Sequence, residues 1–113
     1  MATSTVQCSG NIEEIAEALT MGVLESAISC ELECRVDRSC GQAKAILLVF
    51  EKYYIRSSNR ASLTVMLTEM GDLVNVDAVG SGGGQGPIIK FSWGAEEDFV
   101  DVVRRVLIEK GYA

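Results

Sequence analysis

The 113-residue chain contains no histidine. That removes the commonest general base, the Ser–His and Cys–His nucleophile pairs, and the commonest metal ligand. Basic residues are scarce as well: 10 Lys and Arg stand against 16 Asp and Glu, for a net charge of −6. Nucleic-acid affinity comes chiefly from Lys and Arg on phosphates, so this balance argues against a nucleic-acid reader and, equally, against an anionic membrane surface. The one basic doublet, Arg104-Arg105, stands among acidic neighbours. No apolar run approaches the roughly 18 to 20 residues of a membrane helix. The longest, Ala45 to Phe50 (AILLVF), has strand length. The opening MATSTVQCSG has neither the basic nor the apolar region of a signal peptide, which leads us to expect a cytoplasmic protein. With a single proline and 48% hydrophobic residues, the composition is that of one ordinary globular domain spanning 1–113.

Periodicity organises the chain. Residues 4 to 8 read as a short first strand. Ile12, Ile15, Ala16, Leu19 and Val23 recur at helical spacing, predicting a helix over 11–25. Asn11 with Glu14 fits its N-cap, with Ser9 a rival, and Gly22 is a weak point near its end. In AISCELECRVD, Ile28, Cys30, Leu32, Cys34 and Val36 alternate with polar residues, a strand with one dry face. RSCGQ turns the chain into AKAILLVFEKYYI, whose middle is apolar on both faces, as in a central strand. RSSNR is the next turn. ASLTVMLTE and LVNVDAV follow as strands joined at MGD, where Gly71 is free to take a positive φ. IIKFSW, 88–93, reads as one more strand. The last helix places Phe99, Val102, Val103, Val106 and Leu107 on one face and stops at Gly111. The order β-α-β-β-β-β-β-α implies an α+β two-layer sandwich: a curved, mostly antiparallel sheet of five or six strands with both helices on one face.

The stretch GSGGGQGP, Gly80 to Pro87, matches neither a dinucleotide fingerprint nor a P-loop. It feeds a strand, and the next helix opens with Glu96, Glu97 and Asp98, which would repel a phosphate. Glycine permissiveness alone accounts for a plain strand-to-strand loop. The sharper reading is a flap over a pocket at the sheet's end, with Ser81, Gly82, Gly83, Gly84 and Gln85 as contacts. Tyr53, Tyr54 and Arg56 suit a pocket mouth or an interface, and Asn59 and Arg60 lie close by in sequence. Trp93 and Phe91 would line such a groove, although a core role weighs more for Trp93.

Four cysteines invite a metal or disulfide reading. On an uninterrupted strand Cys30 and Cys34 lie about 13 Å apart on one face, too far to share a zinc or a disulfide, so both read as core filler. Cys40, beside Gly41, is the thiol expected at the surface. Asp77 becomes an acid/base group if helices cover its face and a plain solvated residue if that face is open. The second reading is favoured, because Val74, Val76 and Ala78 make the better core set. Glu51 is the other carboxylate available to an enzymatic reading.

FEKYYIRSSNRASLTVML (Phe50 to Leu67), SGGGQG (Ser81 to Gly86) and the WGAEEDF entry into the last helix resemble a family of small bacterial proteins, the domain of unknown function numbered 6054. The resemblance implies a compact cytoplasmic domain of this length and brings no activity, cofactor or site with it. It also implies that Asn59-Arg60 and the glycine run belong together. The long last helix on a curved sheet is similar, in architecture alone, to helix-grip proteins, which hold apolar ligands between helix and sheet. The leading expectation is therefore a non-enzymatic binding module without metal or cofactor, taking a small ligand, apolar or polar, or a protein partner near the glycine run. The alternatives are a homodimer, formed through an edge strand such as 28–36 or through the open sheet face, and an enzyme using Asp77 or Glu51 as base.

Overall fold

Glycines in tight connections set two of the hairpins from which the sheet is built. The computed structural model describes residues 2–27, 29–54, 59–82 and 95–113, with the backbone alone for Tyr54, Asn59 and 95–98. They form β1 (Ala2–Ser9), α1 (Ile12–Glu25), β2 (Cys30–Cys40), β3 (Ala43–Tyr54), β4 (Asn59–Met70), β5 (Leu73–Gly82) and α2 (Ala95–Glu109). The strand expected at 88–93 lies outside the described residues. Gly41 and Gly71 take φ of 61° and 65° in two-residue connections, a region costly for any residue with a Cβ, and so set the β2–β3 and β4–β5 hairpins.

The five strands form one antiparallel sheet in the order β1-β5-β4-β3-β2. The fold is α+β, as its periodicities imply. β4, rather than β3, is central. β3 lies one place in from the edge, so its two apolar faces cannot be explained by a central position.

Both helices pack on the same sheet face, α1 against β2, β3 and β4, and α2 against β1, β5 and β4. Ile46, Leu48 and Phe50 of β3, Leu63, Val65 and Leu67 of β4, and Val74, Val76 and Ala78 of β5 all point into this layer at no more than 2% exposure. They meet Ile15, Leu19 and Val23 of α1 and Phe99, Val103 and Leu107 of α2 in one core. Asn11 caps α1, its side chain accepting from the N–H groups of Glu13 and Glu14 at 2.9 and 3.1 Å. Gly111, at φ 82°, ends the last helix, and the Tyr112 N–H returns to the Leu107 carbonyl at 3.0 Å.

Gly22 is a point of contact rather than a weak point. A Cβ built there would lie 2.5 Å from a methyl of Val106, so α1 and α2 touch where α1 has no side chain.

The main departure from the sequence reading lies in β2. Leu32 pairs with Phe50, but the next pair is Cys34 with Val49, and Glu33 is left over as a bulge. One extra residue turns every later side chain to the other face. Cys30 therefore remains buried under the helices, whereas Cys34 is exposed and is not core filler. Val36 turns with it, away from the helices, opposite Leu47. Arg35 and Asp37 take the helix side and form a two-toothed ion pair at 2.9 and 3.1 Å, which holds the Asp37 carboxyl below its ordinary range. The strand also runs three residues past Asp37, to Cys40.

Two outcomes follow. Gly22→Ala should gain up to about 1 kcal/mol of helix propensity yet lower stability by about 1–2 kcal/mol in urea unfolding, because the methyl has no room. Val106→Ala added to it should show a favourable coupling in a double-mutant cycle. In the native protein iodoacetamide should modify Cys34 and Cys40 quickly. Cys8 and Cys30, whose thiols burial pushes up, should react only on unfolding. Fast native labelling of two sites with Cys34 protected would contradict the bulge.

Candidate functional site

The face opposite the helices has no second layer among the described residues. Antiparallel register places side chains across it in rows. One row runs Cys34, Val49, Thr64, Val79 and Thr3, and the next runs Val36, Leu47, Met66, Asp77 and Thr5. Val36, Leu47, Val49 and Val79 are half-buried by their neighbours alone, and Met66 is 44% exposed. This is a contiguous apolar patch on β2 to β5. Towards β1 the face turns polar, with Asp77 accepting from the Thr5 hydroxyl at 2.8 Å and Gln7 donating to Asn75 at 3.4 Å. Asp77 thus stands on the open face, and Val74, Val76 and Ala78 form the core set.

The residues expected at a site divide into three groups. Tyr53, Arg60 and Ser81 come together at one end of this open face. Tyr53 pairs with Arg60, and Glu51 pairs with Ser62, which pairs in turn with Ser81. Gly82 pairs with Ala61, so it lies at the same sheet end on the helix side. Tyr54 and Asn59 close the β3–β4 ladder as backbone partners. Arg56, Gly83, Gly84, Gln85, Phe91 and Trp93 lie outside the described residues.

A cleft of about 230 Å³ opens at this end, lined by Glu31, Glu33, Glu51, Tyr53 and Arg60 among others. Glu31 and Glu51 are directly opposed across the β2–β3 ladder, a like-charge pairing that is unfavourable in itself. Arg60 relieves it by approaching the Glu51 carboxylate to 3.6 Å. Both partners of that pair are at least one-third exposed, so it contributes little to stability. Tyr53 is 42% exposed and is held by its backbone, whose N–H donates to the Ser29 carbonyl at 3.3 Å. Lys52, on the other face, lies 5.7 Å from the Phe99 ring centre and belongs to the helix layer. Among the described side chains the end of the face therefore presents the Tyr53 ring, the Arg60 guanidinium and a surplus of carboxylates beside an apolar centre.

That arrangement can hold a chain by contact and charge. Among the described residues no group of three His, Cys, Asp or Glu side chains converges as metal ligands would. No described helix is long and apolar enough to cross a membrane. The layer between helices and sheet is filled by side chains, Phe50, Leu63 and Phe99 among them at 0% exposure, which leaves no helix-grip cavity among these residues.

Sequence reasoning missed the apolar patch. Its signal was present in β3, whose alternate residues Leu47 and Val49 are apolar on the side away from the core. The bulge that adds Cys34 and Val36 to the patch leaves no mark in the alternation of β2.

Three solved structures are similar in arrangement at low identity. Protein MLL2253 from Mesorhizobium loti shares 15% identity at a TM-score of 0.46, over 96% of this chain and 98% of that one. TTHA0849 from Thermus thermophilus shares 13% at 0.44, over 96% and 94%. Chr148 from Cytophaga hutchinsonii shares 9% at 0.37, over 96% and 92%. No curated protein matches the chain. A family of unknown function, DUF6054, matches residues 1–110, and the chain belongs to that family.

Proposed function

We propose that the chain is a non-enzymatic binding module that takes a protein segment on the open face of its sheet, at the end where Tyr53, Arg60 and Ser81 meet. The observation that carries this reading is β3. Leu47 and Val49 are as apolar as residues covered on both sides, yet only one side is covered among the described residues. Apolar side chains set next to one another across four strands favour a partner that removes them from water, at about 25 cal/mol per Å² of apolar surface.

The charge around the patch defines the partner. Glu31, Glu33 and Glu51 rim the cleft beside Tyr53, and the whole chain carries −6. An extended segment with apolar residues and lysine or arginine fits both features. An apolar small ligand between helices and sheet fits less well, because the described residues of that layer are close-packed at 0% exposure for Phe50, Leu63 and Phe99.

A defined probe tests this reading: a ten-residue peptide alternating Lys with Leu, followed by calorimetric titration at low salt. Binding should protect Cys34 from iodoacetamide while Cys40 stays reactive. Met66→Lys, at the centre of the patch, should weaken binding at least tenfold, and Glu51→Gln by a few-fold. An alternating Glu–Leu peptide that binds as tightly, or a complex in which Cys34 stays fully reactive, would overturn the assignment.

A further inference from the structure

The two edges of the sheet are built differently. β2 is a guarded edge: it carries Glu31, Glu33, Arg35, Asp37 and Arg38, and it is bulged at Glu33. Charges and bulges are the usual means by which exposed edges resist pairing with another chain. β1 has neither. Its eight residues, ATSTVQCS, include no charge and no proline, and they pair with β5 in unbroken register from Ala2–Gly80 to Ser9–Leu73.

Among the described residues only one end of β1 is covered. The Ser9 N–H donates to the Tyr112 carbonyl at 3.1 Å, so the C-terminal turn closes the edge there. N–H and C=O groups alternate sides along a strand, so the same outward side carries those of Thr3, Thr5 and Gln7. These three residues form an open ladder on an uncharged strand, where two copies of a chain of net charge −6 can meet without opposing like charges across the ladder.

We infer that two copies of this chain pair antiparallel through residues 3–7 of β1, about a two-fold axis at Thr5, joining their five described strands each into one continuous sheet. This surface is distinct from the open-face patch, and the inference does not depend on the partner proposed for that patch.

Asp101 and Arg104 of α2 border Ala2, Thr3 and Ser4 in a shallow cleft, and Arg104 donates to the Ser4 hydroxyl at 3.4 Å. α2 lies over β1, β5 and β4. In the paired sheet β5 and its symmetry mate are three strand spacings apart, about 14 Å. Helices at that distance do not interlock, so the two strands carry the contact. The assembly also sets both open faces side by side on one surface, so a repetitive partner would gain from double attachment.

Light scattering and native mass spectrometry at about 50 µM should give twice the 12.2 kDa monomer mass. The amides of Thr3, Thr5 and Gln7 should exchange slowly in the dimer and quickly on dilution. Thr5→Pro removes an outward N–H and the hydroxyl bond to Asp77 but no backbone bond to β5, so it should raise the dimer Kd at least tenfold with the monomer still folded by circular dichroism. Thr5→Lys sets like charges opposite each other at the two-fold and should weaken the dimer several-fold, and mixing it with Thr5→Glu should restore pairing. That charge pair decides the matter if the proline variant fails to fold. A monomer at 50 µM, or a dimer indifferent to both the proline and the charge pair, would overturn the inference. A dimer lost on Met66→Lys and kept with Thr5→Pro would place the contact on the open face and overturn it too.

Discussion

Everything else in this fold depends on two helices fitting side by side on one face of a five-stranded sheet. Five strands at about 4.8 Å give a surface little wider than two helices of about 10 Å. The helices must therefore touch, and they do so where Gly22 meets Val106. With that contact made, each helix covers its own group of strands, and the apolar residues of β3, β4 and β5 on that side are buried. The same contact commits all the helical material of the described chain to one face, and no other described element covers the opposite one.

The open face shows the consequence. Its residues are not those of a merely solvated surface: Leu47, Val49 and Val79 stand beside Met66, and the β2 bulge turns Cys34 and Val36 to join them. A bulge costs a ladder position, and this one also opposes the alternation that would have put Cys34 and Val36 under α1. It gives Arg35 and Asp37 each other as partners on the helix side, beyond the buried part of the core. The polar and charged residues Tyr53, Arg60, Glu51 and Ser81 sit at one end of the same face, and the neutral edge β1 bounds it along the side. Apolar centre, charged end and uncharged edge are three separate properties of a single sheet surface.

Much of the architecture was legible in the order of residues. The helical stripes of α1 and α2 emerged as buried residues without exception, from Ile12 to Val23 and from Phe99 to Leu107. Val74, Val76 and Ala78 were identifiable as the inward side of β5, and with them the open position of Asp77. Of the candidate site, the convergence of Tyr53, Arg60 and Ser81 was anticipated only as proximity in sequence to two turns. The patch beside them was not anticipated, because apolar residues on both sides of β3 read equally well as a central strand.

Local physics explains this division. Periodicity, caps and positive-φ glycines act over a few residues, so the sequence by itself determined the helices, the hairpins and the inward face of most strands. Strand order is a matter of pairing across the whole chain, and only the tertiary structure decided that β1 returns to β5, that β4 is central and that β1 and β2 are the edges. The bulge belongs to the second class. The alternation from Cys30 to Val36 is unbroken, and nothing local distinguishes Glu33. Its exclusion from the ladder is set by β3, against which Leu32 must meet Phe50 and Cys34 must meet Val49.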